Sequence, residues 1–592
     1  ERVGPLRLAD HLFSIVLLSG PSLVFSSCLF FAVATLTRST MLTYTGVVGL
    51  LVGYMVAGNL FIDQENDRLA AVLDPFGVSA FQVGTKYWTV ADRNGQLLEL
   101  DGLFLLSRGL WLAFAVAMLA VTLWRFRFEL TGTRPRRRWP WSKTKAESAS
   151  ETVPTTAPSL APATPVSVAH GGAAARRQLW AQARLEIGLV LRSVAFPIIV
   201  AFGVFNMFGN SQVIDQLFGT PVYPVTHLMI QILSGSSLFM FVIVTFYAGE
   251  LVWRDRALGT SDVIDALPAP NWVFWGAKMI AFLLIVLALL VMSILTGMAI
   301  QAMRGYTNFE LGLYLRGILL VAGMPFLLGS VLSIFFQVLT NHRYLGYLLM
   351  LVFIVATPAL GAIDYDHNLY KFGFVPAAPY SDMNGFGHFV APIAWYTLYW
   401  IVFCGLLTVA VQLLWVRGRT QGWRDRLRLA RARFRGAVVP ATVGLAAVWL
   451  GLGGWIFYNT NVLNEYVPSD VARDRQVRRE REYSPYADRP LPKLRAVYAE
   501  VDIYPDRREV DIRGRYTLEN TGDAPIDELL VGLASPVDID ELVVPGATLT
   551  REDAELGYYL YTFSPPLPPG AVREMTFDLG IENHGFRNHG SN

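Results

Sequence analysis

The residues best placed to do chemistry stand in one polar interval between two apolar stretches. It runs from Tyr247-Ala-Gly-Glu250 through Leu-Val-Trp-Arg254-Asp255-Arg256-Ala-Leu-Gly259-Thr260, then Asp265-Ala-Leu-Pro268 and Gly276-Ala-Lys278. Glu250, Arg254, Asp255 and Arg256 fall within about two helical turns. Gly259-Thr260 then breaks the helix and leaves a compact knob. Paired charges on such a knob suit a partner's cleft, which can pass rigid-body motion into the flanking spans. Positive capping of two membrane helices uses the same residue types, and this second reading stays open.

Other chemistry is absent from the pattern. There is no G-x-x-x-x-G-K-[ST] loop, since Lys143-Thr144 follows Trp141-Ser142. Leu233-Ser-Gly-Ser236 lies inside an apolar run and is set aside. No G-x-S-x-G is present, and none of the eight histidines precedes Glu, so no H-E-x-x-H zinc motif exists. Asp364, Asp366, His367, Asp382 and His388 share one loop, but their irregular spacing favours loop chemistry over a metal. Cys28 and Cys404 lie in apolar runs and imply no disulfide framework. We expect no catalytic residue, cofactor site or metal site within residues 1–592.

The elements that must position the knob are membrane spans. The chain has 592 residues, 53% of them hydrophobic and only 16% charged, against roughly 25% charged in soluble domains. Mean hydropathy is +0.39. Residues 458–592 hold 15 Lys+Arg against 24 Asp+Glu, a net of −9, so the rest carries +11. That asymmetry indicates membrane plus an acidic soluble module and excludes a nucleic-acid binder. A span needs about 20 apolar residues. Ten stretches qualify: 12–37, 41–62, 104–124, 193–208, 227–249, 274–300, 313–338, 344–363, 393–416 and 438–457. Arg108 and Arg316 sit near span ends, where a long side chain reaches the interface.

Arg134–Arg138 and the eight arginines of Arg417–Arg435 mark the cytoplasmic side. Alternation places the 250–273 loop inside and 63–103, 209–226, 301–312, 364–392 and everything after Tyr458 outside. Residues 140–175 are rich in Pro, Ser, Thr and Ala and read as a disordered cytoplasmic linker. Leu179, Ala183, Ile187 and Leu191 then form one face of an amphipathic helix on the inner membrane surface. Trp423, Leu427, Ala430 and Phe434 repeat that device, a basic solvated face being the alternative.

An ordered series of matches marks an internal repeat. Leu36-Thr37 through Tyr44 recurs 303 residues later as Leu339-Thr340 through Tyr347. Each copy follows a Phe-Phe pair, precedes an outer loop containing Phe-Gly (Phe76-Gly77, Phe372-Gly373), and closes with a span leaving through Trp and Arg. Six spans of the second half against three of the first imply about three spans ahead of Glu1 in the intact protein.

The 247–278 interval resembles the cytoplasmic coupling loop of type-two ABC exporter permeases, through Arg-acidic-x-x-x-Gly-Thr, Leu-Pro and Gly-x-Lys. The resemblance implies an ATPase-coupling loop made of Glu250, Arg254, Asp255, Arg256, Gly259 and Thr260. It also implies a separate ATPase subunit as partner, with ATP bound there and not here.

From Leu494 the period becomes that of strands. Val510, Ile512, Tyr516 and Leu518 alternate with polar residues, as do Met575, Phe577, Leu579 and Ile581. Leu529–Val531, Leu542–Val544 and Tyr558–Tyr561 lie between, with a Pro-Pro-Leu-Pro-Pro-Gly break at 565–570, so a β-sandwich is expected. Tyr498…Val501-Asp-Ile-Tyr-Pro505, Gly514-x-Tyr516-x-Leu-x-Asn520 and Leu567-Pro-Pro-Gly570 resemble the N-terminal β-domain of aminopeptidase N-like (gluzincin) metallopeptidases. A bacterial architecture fuses such a peptidase to an ABC permease, and this chain resembles its middle portion. The zinc motif and G-A-M-E-N are missing, so zinc would belong only to a downstream domain.

The expected architecture is therefore a polytopic α-helical membrane protein of about ten spans in two pseudo-repeated halves, with a C-terminal extracytoplasmic β-sandwich. Its parts are 1–128 (three spans of the first half), 129–175 (linker), 176–437 (amphipathic helix and six spans), 438–457 (last span), 458–493 (connector) and 494–592 (the β-domain, incomplete). The expected function is the permease subunit of an ABC export system in the bacterial inner membrane, its substrate open. The alternative is a membrane-anchored metallopeptidase, with peptide as substrate, whose catalytic domain lies beyond residue 592. A secondary transporter fits less well, because the spans have no charge at their centres. Topology is testable directly: cysteine at Ser381 should react with a membrane-impermeant reagent in intact cells, and cysteine at Ser148 should not. Labelling at Ser148 alone would invert the orientation.

Overall fold

In the computed structural model, residues 7–38, 40–60, 67–98, 100, 102–126, 171–212, 216–217, 220–235, 237–377, 379–418, 422–533 and 537–588 are described. Arg134–Arg138 and the linker as far as residue 170 lie outside them. Among the described residues, seven helices are long and apolar enough to cross a membrane, and up to nine if two bent pairs each count as one span. Ten separate spans were expected. The expected stretch at 41–62 forms a helix over Thr40–Leu60, whose apolar part among the described residues is Leu42–Met55. The long apolar helices are those of a multi-pass membrane protein.

Contacts divide the chain into two units. The first comprises Glu1–Val338 with Trp415–Thr420, and the second Leu339–Leu414 with Gln421–Asn592. In the first, α1 (Gly20–Thr37), α2 (Thr40–Leu60) and α3 (Gly102–Arg125) are followed by α4 (Gly172–Leu191) and α5 (Ala195–Gln212), which meet at 65°. Next come α6 (Thr226–Gly235) and α7 (Ser237–Ala257), meeting at 54°, and α8 (Asn271–Met303). A span over Leu311–Thr340 ends in α9 (Met324–Thr340). Ala277, Ala281, Phe282, Ile285 and Val286 of α8 are fully buried, so this 33-residue helix is the core against which α4 and α5 pack.

Arg108 departs from expectation. Its side chain is buried among protein groups, donating to the Asp74 carbonyl at 3.0 Å and to Ser22 and Ser107 Oγ at 3.4 Å. Gly77 (φ +73°) makes room, since a Cβ there would lie 2.3 Å from the guanidinium carbon. The buried Asp74 carboxylate in turn accepts the Phe76 and Ser79 amides at 2.8 and 2.6 Å. Arg316, by contrast, is exposed.

The second unit contains α10 (Arg343–Ala362), α11 (Val390–Leu414), α12 (Trp423–Arg433), α13 (Val438–Phe457), the polar α14 (Ser469–Tyr483) and seven strands. In α12 the Arg426 side chain is buried and donates to the carbonyl of Leu339, of the same unit (2.9 Å), and Arg433 caps α11 through Leu413 (3.0 Å). Trp423, Leu427 and Phe434 remain exposed on this helix.

Segments matched in sequence take matching local geometry. Arg38 (φ 52°) joins α1 to α2, and Asn341 (φ 49°), 303 positions later, joins α9 to α10. Gly77 and Gly373 both have positive φ, at 73° and 78°.

The strands are β1 (Lys493–Tyr504), β2 (Glu509–Glu519), β3 (Ile526–Gly532), β4 (Asp538–Val543), β5 (Ala547–Asp553), β6 (Tyr558–Leu567) and β7 (Val572–Glu582). They form an antiparallel four-stranded sheet, β1-β2-β7-β4, and a three-stranded one, β3-β6-β5. One apolar cluster draws on both: Leu518, Met575 and Phe577 from the first, and Ile526, Leu529, Tyr561, Phe563 and Leu567 from the second. β6 runs on through Pro565-Pro566 to Leu567, which pairs with Ile526, so the chain breaks later than the proline run suggested. After β7 the tail returns to the helices. Asn588 accepts from Asn368 N (3.0 Å) and the Tyr396 hydroxyl (2.8 Å), and Asn464 donates to the His584 carbonyl (2.8 Å).

α14 grips the β5–β6 turn. Glu555 accepts from Arg478 (2.7 Å) and Arg475 (3.0 Å), which hold its carboxyl below the usual range. Tyr483 stacks on Tyr558 at 4.1 Å and donates to Asp553 at 2.9 Å; burial first and this bond second push its phenol up to about 12. Glu555 therefore contributes stability that is complete above about pH 4.5 and is lost as pH falls through its lowered value. Tyr483 contributes stability that is complete below about pH 10 and is lost toward pH 12. Melting followed by near-ultraviolet tyrosine dichroism should fall at both ends, and Glu555→Gln should remove the Glu555 part of the acid limb.

Candidate functional site: the loop between α7 and α8

Helix α7 keeps its regular turns to Ala257 because Gly259 (φ +70°) closes it: Gly259 N donates to the Arg256 carbonyl (3.2 Å) and Thr260 N to that of Asp255 (2.9 Å). A five-residue helix, Ser261–Asp265, follows before Leu267-Pro268 leads into α8.

The charges expected to face a partner turn inward instead. Arg254 Nη1 lies 3.0 Å from Glu186 Oε2, and Asp255 Oδ2 lies 2.9 Å from Lys278 Nζ. Lys278 also donates to Glu186 Oε1 at 2.9 Å and to the Leu251 carbonyl at 2.8 Å. An ammonium has three protons, and here all three are used. Glu186 is 1% exposed and Lys278 3%. Two carboxylates and two cations balance, which is the condition under which buried charge is tolerable.

Three elements thus meet at one point: α4 through Glu186, the end of α7 through Arg254 and Asp255, and the first turns of α8 through Lys278. Gly276 allows the approach, because a Cβ there would stand 3.3 Å from Leu179 Cδ1 of α4. The buried side of α4 is Ala175, Ala183, Glu186 and Val190, while Leu191 is exposed, so the face read from sequence is rotated.

Of the remaining expected residues, Arg256 stacks on Trp253 at 4.8 Å. Glu250 is half-buried beside a small cavity that it lines with Tyr44, Thr45, Ile199 and Tyr247. Thr260 is exposed, and its Oγ1 donates to the Asp255 carbonyl at 3.2 Å.

Arg417 holds the far end of the loop. Its guanidinium donates to the carbonyls of Asp265 (2.6 Å), Leu267 (2.6 Å) and Ala269 (2.8 Å) and lies 4.6 Å from the Phe274 ring centre. Gly418 N adds a bond to Asp265 Oδ2 at 2.9 Å. With both ends fixed, the exposed tip carries three large apolar side chains, Leu258, Val263 and Leu267, beside Thr260 and Asp262. Sequence reasoning assigned Arg417 to orientation and to the repeat's closing span and passed over these three. The signal for the tip was present, since apolar residues in a short polar loop need a reason.

In the loop at 364–388, Asp364 pairs with Arg473 (3.7 Å) and Asp366 with Lys371 (3.1 Å), while His367 bonds Thr460 (3.2 Å) and Asn461 (3.1 Å). Among the described residues no three of His, Cys, Asp and Glu gather as a metal ion requires.

Residues 191–261 match a family described as a protein of unknown function (DUF2627), a match covering α5 to the end of α7 and the Gly259 turn. No curated protein and no solved structure matches the chain.

Lys278→Met leaves two carboxylates facing one arginine. It should cost roughly 3–5 kcal/mol, the usual penalty for breaking a buried pair from one side. Adding Glu186→Gln restores balance and should recover more than half of that loss. Thermal unfolding of the detergent-solubilised protein reads both, and a double variant no better than the single would show that charge balance is not what the cluster supplies.

Proposed function

We propose that the helical part is the membrane permease subunit of an ABC export system of the type-two class, in the bacterial inner membrane, and that a separate ATPase subunit docks on residues 257–268. The observation that carries this reading is mechanical. The loop is fixed to α4, α7 and α8 by the Glu186–Lys278 cluster and to Arg417, so a push on its tip moves helices rather than bending the loop. A flexible connector would dissipate the same push. In this reading Arg254 and Asp255 are internal braces, Gly259 and Thr260 shape the tip, and Leu258, Val263 and Leu267 are the contact. ATP belongs to the partner. The matched turns at Arg38 and Asn341, and at Gly77 and Gly373, support two pseudo-repeated halves, and the arginine bias supports placing the C-terminal module outside the cell.

A second reading rests on the β module. Two sheets sharing one core support a β-sandwich, and each residue of Gly514-x-Tyr516-x-Leu518-x-Asn520 has a physical role there. Gly514 admits the Phe577 ring, since a Cβ would lie 2.6 Å from it. Tyr516 packs on that ring, and Leu518 enters the core. Asn520 links the sheets through the Leu567 carbonyl at 2.8 Å. This favours the aminopeptidase N-like N-terminal domain and hence a fusion whose zinc-dependent peptidase, acting on peptides, would lie downstream.

Leu258→Asp with Val263→Asp should reduce ATPase recovered per permease in detergent pull-downs at least about tenfold, since a charge placed in an apolar contact is left unpaired. Folding should be unaffected, because both side chains are exposed. Equal recovery would leave the loop as a helix connector.

A further inference from the structure

We propose that the outer side of α4 is a headgroup site for anionic phospholipid in the cytoplasmic leaflet. Arg176, Arg177, Trp180 and Arg184 line an open concavity of about 590 Å³, with Ala173 and Ala181 between them. The three arginines are exposed, and none has an ion-pair or hydrogen-bond partner among the described residues. They cannot turn inward. The opposite side of the helix is buried on α8 and locked there by the bonds from Glu186 to Lys278 and Arg254.

The expected amphipathic helix is therefore used in the reverse sense. Ala175, Ala183 and Val190 are spent on the buried side, and the basic side is presented to the surroundings. Three unpaired guanidinium groups call for phosphate, which they bind through paired N–H donors. The rest of the exposed surface separates lipid from an acidic protein. Trp180 is 54% exposed, and exposed Leu185, Leu189, Leu191 and Val194 follow it toward the 65° turn into the apolar α5. Read along the axis, Arg176, Arg177 and Arg184 with Trp180 among them come first, and the exposed aliphatic side chains follow with Arg192 among these, so a headgroup fits the first turns and acyl chain the later ones. An acidic soluble partner would match the arginines and leave the tryptophan and leucines in water.

Binding is measured on the full chain in detergent by native mass spectrometry, with dioctanoyl phosphatidylglycerol, dioctanoyl phosphatidylcholine and inorganic phosphate as separate probes. Phosphatidylglycerol should bind at least about tenfold more tightly than phosphatidylcholine, given three cations near an anionic headgroup, and phosphate alone should bind more weakly than phosphatidylglycerol. R176E/R177E/R184E should abolish the preference without changing thermal unfolding, and R176K/R177K/R184K should keep most of it. Should the glutamate variant fail to fold, R184Q alone must still narrow the preference. Equal binding of the two lipids by the wild type overturns the proposal, as does a preference that the variants leave intact. Unchanged lipid preference together with loss of a co-purifying protein would reassign the face to a protein partner. No ATPase enters the lipid measurement, so its outcome is separate from that of the docking loop.

Discussion

One ammonium group organises the first unit. Lys278 stands 3% exposed near the start of the long, largely buried α8, with its three protons on Glu186, Asp255 and the Leu251 carbonyl. Such a cluster adds little net stability over an apolar replacement, because desolvation offsets the attraction. Its value is positional. Any shift that separates α4 from α8, or tilts the end of α7, strands a charge in a low-dielectric place. The three helices therefore keep one arrangement at this point, and only a concerted displacement preserves the bonds.

The sequence carried the elements more clearly than the contacts. Spans, the strand region and the helix-breaking Gly259-Thr260 were legible because hydrophobic period and glycine chemistry are local properties. The partners of Arg254 and Asp255 were not, since Glu186 lies 68 residues away and nothing local distinguishes an inward arginine from an outward one. Arg108 illustrates the same limit. Its place near a span end favoured the interface, and only the fold of 74–79 supplies the carbonyl and glycine gap that bury it. In α12, likewise, helical spacing showed two faces but not that Arg426 would donate to the Leu339 carbonyl.

Bent pairs account for most of the difference in span number. The apolar stretches at 193–208 and 227–249 were read as independent crossings, but each belongs to a helix pair broken by more than 50°. Hydropathy counts apolar residues and is blind to direction. A break near Ser193 also explains how α4 can be polar on its outer side while continuing directly into α5.

Within the second unit, the β module is not a pendant at the end of a tether. The tail after β7 returns to α11 and the loop at 364–377 through Asn588, while α14 holds the β5–β6 turn through Glu555 and Asp553. Both attachments combine hydrogen bonds or ion pairs with ring contacts, Tyr483 on Tyr558 and Phe586 on Tyr396, unlike the apolar cluster inside the sheets. The ion pairs of Glu555 and Asp553 depend on pH and salt in a way that the core does not. The module's fold and its attachment are therefore set by different physics, and conditions that loosen the second can leave the first intact. A displacement at the N-terminal end of α11 reaches the tail after β7 through the bond from Tyr396 to Asn588.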